Sequence, residues 1–259
     1  METTSRPASD ASPGVRQALL LLEELARSPD EGLTLTELGD RLDLPKNSVL
    51  RIGRTLQAAG YVERHPETLR FRLTGKLLSL AQPRRDGRPL TECAVPEMRT
   101  LRDECRETVQ LGVPSGDGGV IVEVLDGLHP LRIAVDLGVR YPLHNNAPGK
   151  IHLAWLPPAE RDAVIARLEL TPSTARTITD PAALRAECAR VAAQGWSVDH
   201  AEADEGIHCV AAPVFDRHRR CIAALWVSGP SRRMPRDTFP ALGAQVRRAA
   251  AAVTERFCR

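Results

Sequence analysis

The sequence predicts an α+β protein in two parts: an N-terminal winged helix-turn-helix, then an antiparallel sheet with flanking helices. Three observations carry that reading. The stretch LTLTELGDRLDLPKNSVLRIGRTLQAAGYVERHPETLRFRL, from Leu33 to Leu73, holds two short helical periods around a turn, followed by two runs of strand character. A proline- and glycine-bearing stretch at 83–89, PRRDGRP, then breaks the pattern. Beyond it, about 170 residues alternate β-branched runs with proline-headed helices, without a repeat.

Residues 1–12 are small and polar and read as a disordered tail. Val15 to Ala26 forms an amphipathic helix with Ala18, Leu19, Leu22 and Leu25 inward. In the next helix Leu35, Leu38 and Leu42 recur at helical spacing, and Thr34 or Thr36 supplies the N-cap hydroxyl. Asp43-Leu44-Pro45 ends it, because proline disfavours the helical region for the residue before it. Pro45 also suits the first turn of the following helix, where its missing N–H costs nothing. That helix, Lys46 to Ala59, buries Val49, Ile52 and Leu56, and Gly60 ends it.

This arrangement leaves Lys46, Asn47, Ser48, Arg51 and Arg54 near the helix start and on its outward faces. Such a helix presents donors to base edges and phosphates in a major groove. With Thr36 from the preceding helix and Arg64, Arg70 and Arg72 from the wing, they are the candidate DNA contacts. The charge balance agrees. From Arg41 to Lys76, eight basic residues face three acids, Asp43, Glu63 and Glu67, although the whole chain carries only +2. A local excess of this kind is the electrostatic footprint for phosphate.

The organisation predicted is a DNA-binding domain over 13–75, a linker over 76–90 and a second domain over 91–259. In the second domain Pro89 to Glu107 reads as a helix with Val95, Met98 and Leu101 inward. Thr108 to Val113, Val120 to Asp126, Leu131 to Asp136, Val210 to Phe215 and Ile222 to Val227 read as strands. Pro158 to Leu168, Pro181 to Gln194 and Pro235 to Phe257 read as helices, each with proline near its start. Short turns between strands imply an antiparallel sheet with helices packed on it.

The order of residues from Leu33 to Leu73 resembles the DNA-binding domain of the IclR family of bacterial transcription regulators, with turn, recognition helix, Gly60-Tyr61-Val62 and wing at that family's spacing. Two departures stand out. Leu69 occupies the place of the usual wing glycine, so the tip bends without glycine's positive-φ freedom. Gly53 lies inside the recognition helix, where glycine costs roughly 1 kcal/mol relative to alanine. The resemblance continues through Pro130-Leu131-Arg132, Tyr141 to His144, Ala147 to Lys150, Gly195 to Asp199, Glu205 to Asp216 and Ser228-Gly229-Pro230. It implies a GAF-like C-terminal domain that binds a small metabolite.

Read from the residues alone, 144–149 precede an apolar helical run, Ile151 to Leu156. Free N–H groups at that helix start, with Gly149 allowing close approach, would make a carboxylate site. An ordinary loop-to-helix junction is the competing reading, and the resemblance favours the ligand site. It implies one wall from Asn145, Ala147, Gly149 and Lys150, and another from Asp199, Ile207, Cys209 and Ser228. Asp199 and Ser228 offer hydrogen-bond partners, while Ile207 and Cys209 offer apolar surface. Asn145 and Asn146 replace the small or hydroxyl residues common in the family, which bears on ligand choice.

The carboxylates, histidines and thiol between Asp199 and Cys209 also raise a metal site or a cysteine nucleophile. Neither has the required regularity, since neighbours such as His208 and Cys209 point to opposite faces of a strand. No metal and no cofactor are expected. The six cysteines show no CxxC pair and no signal peptide precedes them, so they read as reduced thiols in a cytoplasmic protein. No apolar run has the roughly 20 residues needed to span a bilayer.

The function expected is ligand-responsive transcription regulation: a homodimer or homotetramer on a palindromic double-stranded DNA operator, sensing a small organic acid. Two other classes compete. One is an enzyme acting on a small acid with a vestigial DNA module, which turnover without operator binding would reveal. The other is a constitutive DNA-binding protein whose C-terminal domain only oligomerises, which the absence of a ligand-induced melting shift would reveal.

Overall fold

The computed structural model describes residues 12–28, 31–81 and 83–259; the tail expected over 1–12 lies outside them except for Ser12. The chain divides into two compact units, Met1–Ala81 and Gln82–Arg259.

In the first unit, α1 (Pro13–Ala26), α2 (Leu35–Leu42) and α3 (Lys46–Ala58) precede β1 (Val62–Arg64), β2 (Phe71–Leu73) and the short α4 (Lys76–Ala81). Their core is built from residues such as Leu21, Leu25, Leu38, Val49, Ile52, Leu56 and Phe71. The inward line of α1 differs from the sequence reading. Leu21 and Leu25 are buried with Ala18 and Leu22 partly so, whereas Leu19 is 55% exposed. The stripe 18, 21, 22, 25 follows i, i+3, i+4, i+7, and Leu19 falls one helical step off it.

Thr34, not Thr36, caps α2. Its hydroxyl accepts from the Glu37 N–H at 3.3 Å while the Glu37 carboxylate accepts from the Thr34 N–H at 2.7 Å, a reciprocal capping box. α2 ends with Asp43 in the left-handed region, φ 50°, and Pro45 stands just before α3 as its N-cap. β1 and β2 pair antiparallel, with Glu63 opposite Arg72 and Arg64 opposite Phe71. Leu69, at the wing tip, takes the positive φ of 56° that glycine usually supplies.

The second unit starts with a two-residue hairpin, β3 (Arg84–Arg85) and β4 (Arg88–Pro89), around Asp86 and Gly87 at φ 49° and 81°. These residues, read from sequence as linker, are tied into this unit by Arg85 Nη1 donating to the Phe257 carbonyl at 3.2 Å. Next come α5 (Leu90–Cys105), β5 (Thr108–Ser115), β6 (Gly118–Leu125), β7 (Arg140–Pro142), α6 (Ala147–Ala154), α7 (Pro158–Arg167) and α8 (Pro181–Gln194). β8 (Ser197–His200), β9 (Ile207–Phe215), β10 (Cys221–Pro230) and α9 (Phe239–Cys258) complete it. On α5, Cys93, Ala94, Met98 and Leu101 are buried, and Val95 is only half-buried.

Six strands form one antiparallel sheet in the order β7-β6-β5-β10-β9-β8. Leu131 to Asp136, expected as a strand, is not one: it runs as irregular chain, pinned by Thr108 Oγ1 donating to the Ile133 carbonyl at 2.6 Å, with Leu131 72% exposed. Alternation along the strands sorts the sheet into two apolar layers. Val109, Leu111, Val210, Ala212, Leu225 and Val227 join α5 and α9 on one face. Cys209, Ala211, Ala224 and Trp226 join α6, α7 and α8 on the other. No helix among the described residues is long and apolar enough to cross a membrane.

Candidate functional site

On the first unit, the outward face of α3 is electrostatically unspent. Lys46, Asn47, Arg51 and Arg54 are exposed and make no side-chain hydrogen bond or ion pair among the described residues, while Ser48 is half-buried. Thr36 is exposed at the start of α2. The wing arginines are already engaged. Arg64 Nε donates to the Leu69 carbonyl at 3.1 Å and its guanidinium stands over the Phe71 ring at 5.1 Å. Arg70 donates to the Gly32 carbonyl at 2.8 Å and to Glu37 at 3.1 Å, which fastens the wing to the α2 capping box. Arg72 pairs with Glu63 at 2.8 Å on the exposed side of the wing.

On the second unit, register sets the site. Asp199 lies opposite Cys209, Cys209 opposite Ser228, and Ser228 opposite Thr108. Directly paired residues share a face, so these four form one polar row across β8, β9, β10 and β5, on the side covered by α6. All four are buried, Asp199 to 1% exposure. Cys209 Sγ and Ser228 Oγ are 3.1 Å apart, and Ser228 Oγ donates to Gln110 Oε1 at 3.4 Å. Among the described residues the Gln110 amide nitrogen has no partner, a buried donor without an acceptor. Ile207, two residues before Cys209, is partly buried on the same face.

α6 covers this row, and every residue in it is buried. Asn146 caps it: Oδ1 accepts from the Gly149 N–H at 2.8 Å while Nδ2 donates to the Pro142 carbonyl at 2.6 Å. Asn145 Nδ2 donates to Ser173 Oγ at 3.0 Å. The Ala147 carbonyl accepts from Ser197 Oγ at 2.7 Å. The free amides expected at this helix start are therefore largely absent. Pro148 has no N–H, Gly149 has given its own to Asn146, and a Cβ at 149 would meet the Pro142 carbonyl oxygen at 2.5 Å. Gly149 thus permits close packing of α6 on the 142–143 backbone, not the approach of a ligand.

Lys150, 1% exposed, places its ammonium 2.5 Å from Glu202 Oε1 and 3.4 Å from Glu187 Oε1. Asp199 Oδ1 accepts from the Glu202 N–H at 2.6 Å. Burial pushes the Asp199 carboxyl up to about 7, with Glu202 adding to the rise and Lys150 and the backbone donors opposing it. The second Glu202 oxygen is buried without a partner among the described residues. Gln110 and Glu187 escaped the sequence reading, and Glu202 entered it only as one carboxylate of the cluster weighed as a metal or thiol site. Gln110 left a signal, since it is a polar residue at an inward position of an otherwise apolar strand.

The two sharper chemistries find no support in the geometry. His208 Nδ1 donates to the Met234 carbonyl at 2.8 Å on the α9 face, away from Cys209. Burial, reinforced by Asp199, pushes the Cys209 thiol far above its ordinary value, which disfavours the thiolate a nucleophile needs. Among the described residues, no group of three or more His, Cys, Asp or Glu could hold a metal ion. All six cysteines are free.

Comparison with known proteins adds identity to geometry. Residues 14–66 match the family described as IclR helix-turn-helix domain, and 85–255 match Bacterial transcriptional regulator IclR C-terminal. The HTH-type transcriptional regulator KdgR of Escherichia coli (strain K12) is 33% identical over 228 residues, covering 88% of this chain and 86% of its own. The transcriptional repressor IclR of the same organism is 30% identical over 250 residues, covering 96% and 91%. A solved IclR transcriptional regulator from Alicyclobacillus acidocaldarius superposes with TM-score 0.78 at 25% identity, over 95% of this chain and 99% of that one. An IclR homologue from Microbacterium hydrocarbonoxydans, solved with 4-hydroxybenzoate, has TM-score 0.77 at 23% identity over 93% and 98% and shares the fold.

Proposed function

This chain belongs to the IclR family of bacterial transcription regulators, and from that premise we propose that it binds a palindromic operator and adjusts its grip when a small organic acid occupies the buried polar row. The regulator pairs a DNA-binding helix-turn-helix with an effector-binding C-terminal domain. In our reading Lys46, Asn47, Ser48, Arg51 and Arg54 meet the major groove, Thr36 meets a flanking phosphate, and the wing arginines hold the backbone. Two copies present two recognition helices, so a palindrome is the matching target.

The observation that carries the effector reading is the orphaned Gln110 amide beside Ser228, Cys209 and Asp199. A buried donor without a partner costs about 1–3 kcal/mol, and a ligand oxygen would recover it. An acid fits if Asp199 is protonated, since it then donates to the ligand instead of repelling it. Asp199, Ser228 and Gln110 supply polar contacts, and Ile207 and Cys209 supply apolar wall. Gly149, Ala147, Asn145 and Lys150 act from above, as the supports of α6 and its buried charge.

The test is fluorescence anisotropy of the full protein on the DNA upstream of its own and neighbouring genes, with hydroxy- and keto-acids added. Operator affinity that changes with one acid, and loses that response in Gln110→Leu, supports the reading. Tight operator binding insensitive to every acid and accompanied by no melting shift would favour a constitutive binder. Turnover of an acid without operator binding would favour an enzyme.

A further inference from the structure

Several arginines on the second unit are paired: Arg185 with Asp162 at 3.0 Å, Arg233 with Glu107 at 2.5 Å, Arg248 with Glu104 at 2.6 Å and Arg256 with Glu97 at 2.6 Å. Arg176, Arg232 and Arg236 are, among the described residues, unpaired arginines that converge on one place. None has a carboxylate within ion-pair range among the described residues, and all three line one open cleft of about 610 Å³. His200 and His208 line it as well, against a single acid, Glu205. The cleft lies toward the α9 side of β8 and β9, whereas the buried row lies on the α6 side of the same strands.

The Arg176 side of the cleft is built from named contacts, while Arg232 and Arg236 extend from its exposed rim. Thr174 Oγ1 donates to the Ala201 carbonyl and Thr177 Oγ1 to the Glu202 carbonyl, both at 2.7 Å, which fixes the segment bearing Arg176. The Arg176 guanidinium lies 2.7 Å and 2.9 Å from the two ring nitrogens of His200. The His200 and His208 ring centroids are 4.8 Å apart, and both rings stand edge-on to Phe239 at 5.6 and 5.3 Å. His208, 7% exposed, is anchored through Nδ1 to the Met234 carbonyl, and its other ring nitrogen makes no hydrogen bond among the described residues. Three guanidinium groups converging on a concave surface that holds one carboxylate, Glu205, form a site with a net attraction for anions.

We propose that this cleft is a second ligand site, distinct from the buried row, for a small tetrahedral dianion: inorganic phosphate, sulfate, or the phosphate group of a metabolite. Its size suits a metabolite. The guanidinium forks of Arg176, Arg232 and Arg236 match the oxygens of such a group. Binding takes up a proton. The groups that act on His200 are the cations Arg176, Arg236 and, from the far side of the sheet, Lys150, together with the His208 ring, and Glu205, Glu187 and Glu202 stand at the cleft margins. Burial and then those cations hold His200 below its ordinary value, and a bound dianion opposes the cationic part, raising it again.

Calorimetry on the full protein tests this, with sulfate as first probe because its charge stays at two over the working range. We expect saturable binding that weakens about tenfold in Arg176→Ala and in Arg236→Ala, one charge-assisted hydrogen bond each. Arg185→Ala, on a paired surface arginine, leaves it unchanged. Sulfate affinity rises as pH falls from about 8 to about 6, and His200→Gln flattens that slope. Inorganic phosphate and a sugar phosphate, compared at fixed pH, separate a free ion from a metabolite-borne group. Absence of saturable binding, equal weakening in Arg185→Ala, or full affinity in the Arg176→Ala/Arg236→Ala double variant overturns the proposal. So does an Arg236→Ala protein that loses operator affinity but keeps its sulfate affinity, since the cleft would then serve DNA.

Discussion

The ring of Phe71 on the wing rests directly on the backbone of α3 at Gly53: a Cβ on residue 53 would stand 2.9 Å from Cε1 and 3.1 Å from Cζ. Phe71 is 1% exposed, and its backbone also bridges to Leu33. The recognition helix forgoes about 1 kcal/mol of helix propensity at this glycine, and in return the wing closes on it. Gly53→Ala restores the propensity but overpacks a rigid aromatic contact, which costs typically about 1–3 kcal/mol. The expected net result is a lower melting temperature for the N-terminal unit, measured by calorimetry on the full chain. A raised melting temperature would show that the ring gives way freely.

Leu69 holds φ 56° at the wing tip with its side chain 50% exposed. A left-handed backbone costs a non-glycine residue roughly 1–2 kcal/mol, part of which glycine returns as unfolded-state entropy. Leu69→Gly keeps the backbone bonds from Leu69 N–H to the His65 carbonyl and from Arg64 to the Leu69 carbonyl. It should stabilise the unit by up to about 1 kcal/mol, read as a higher denaturant midpoint at unchanged slope. A drop in midpoint would mean that the leucine side chain itself packs usefully.

Arginines of the DNA-binding unit should separate by what they already hold. Arg51→Ala and Asn47→Ala remove side chains without partners among the described residues, so stability stays constant while operator affinity falls by roughly 1–3 kcal/mol and sequence preference relaxes. Equal loss on random DNA would restrict both to phosphate. Arg72→Ala should flatten the salt dependence of binding by about one counterion. Arg70→Ala should chiefly lower stability, because Arg70 is spent on Gly32 and Glu37. A full counterion lost from the salt slope in Arg70→Ala, with the melting temperature unmoved, would reverse that assignment.

The two units differ in how much of this was legible from sequence. Turn, caps and wing of the first are set by local chemistry, so Pro45, Gly60 and the 33–73 periodicity located them, and only the phase of α1 was misread, at Leu19. In the second unit the site depends on strand register. Asp199, Cys209, Ser228 and Thr108 stand in one row only because β8, β9, β10 and β5 pair as they do, and a lone sequence does not state pairing partners. For the same reason Gln110 was missed and Glu202 was grouped with a metal or thiol cluster rather than with Lys150, while Gly149 was assigned a ligand-facing role that the 142–143 backbone occupies.

Asp199 and the Glu202 N–H give the last prediction, and its sign follows from burial. The carboxyl rises from its ordinary 3.8 to about 7 on folding. A group whose acid form is favoured in the folded state contributes fully below its unfolded value, and that contribution fades as pH rises toward the folded one. Between about pH 4 and pH 7 the protein should thus lose stability through this group, by up to about 4 kcal/mol. Asp199→Asn keeps an oxygen acceptor for the Glu202 N–H and cannot ionise, so it should be more stable than wild type at pH 8 and flatten the decline. The same substitution bears on the effector. An acid bound beside a protonated Asp199 should bind more tightly as pH falls through about 7 in the wild type, and with little pH dependence in Asp199→Asn. Chemical denaturation across this pH range, paired with titration of an acid identified from the operator assay, reads both effects. If wild type and Asp199→Asn show parallel stability curves, the carboxyl ionises near its ordinary value and the buried row carries a permanent negative charge. An acid would then be the wrong class of ligand for it.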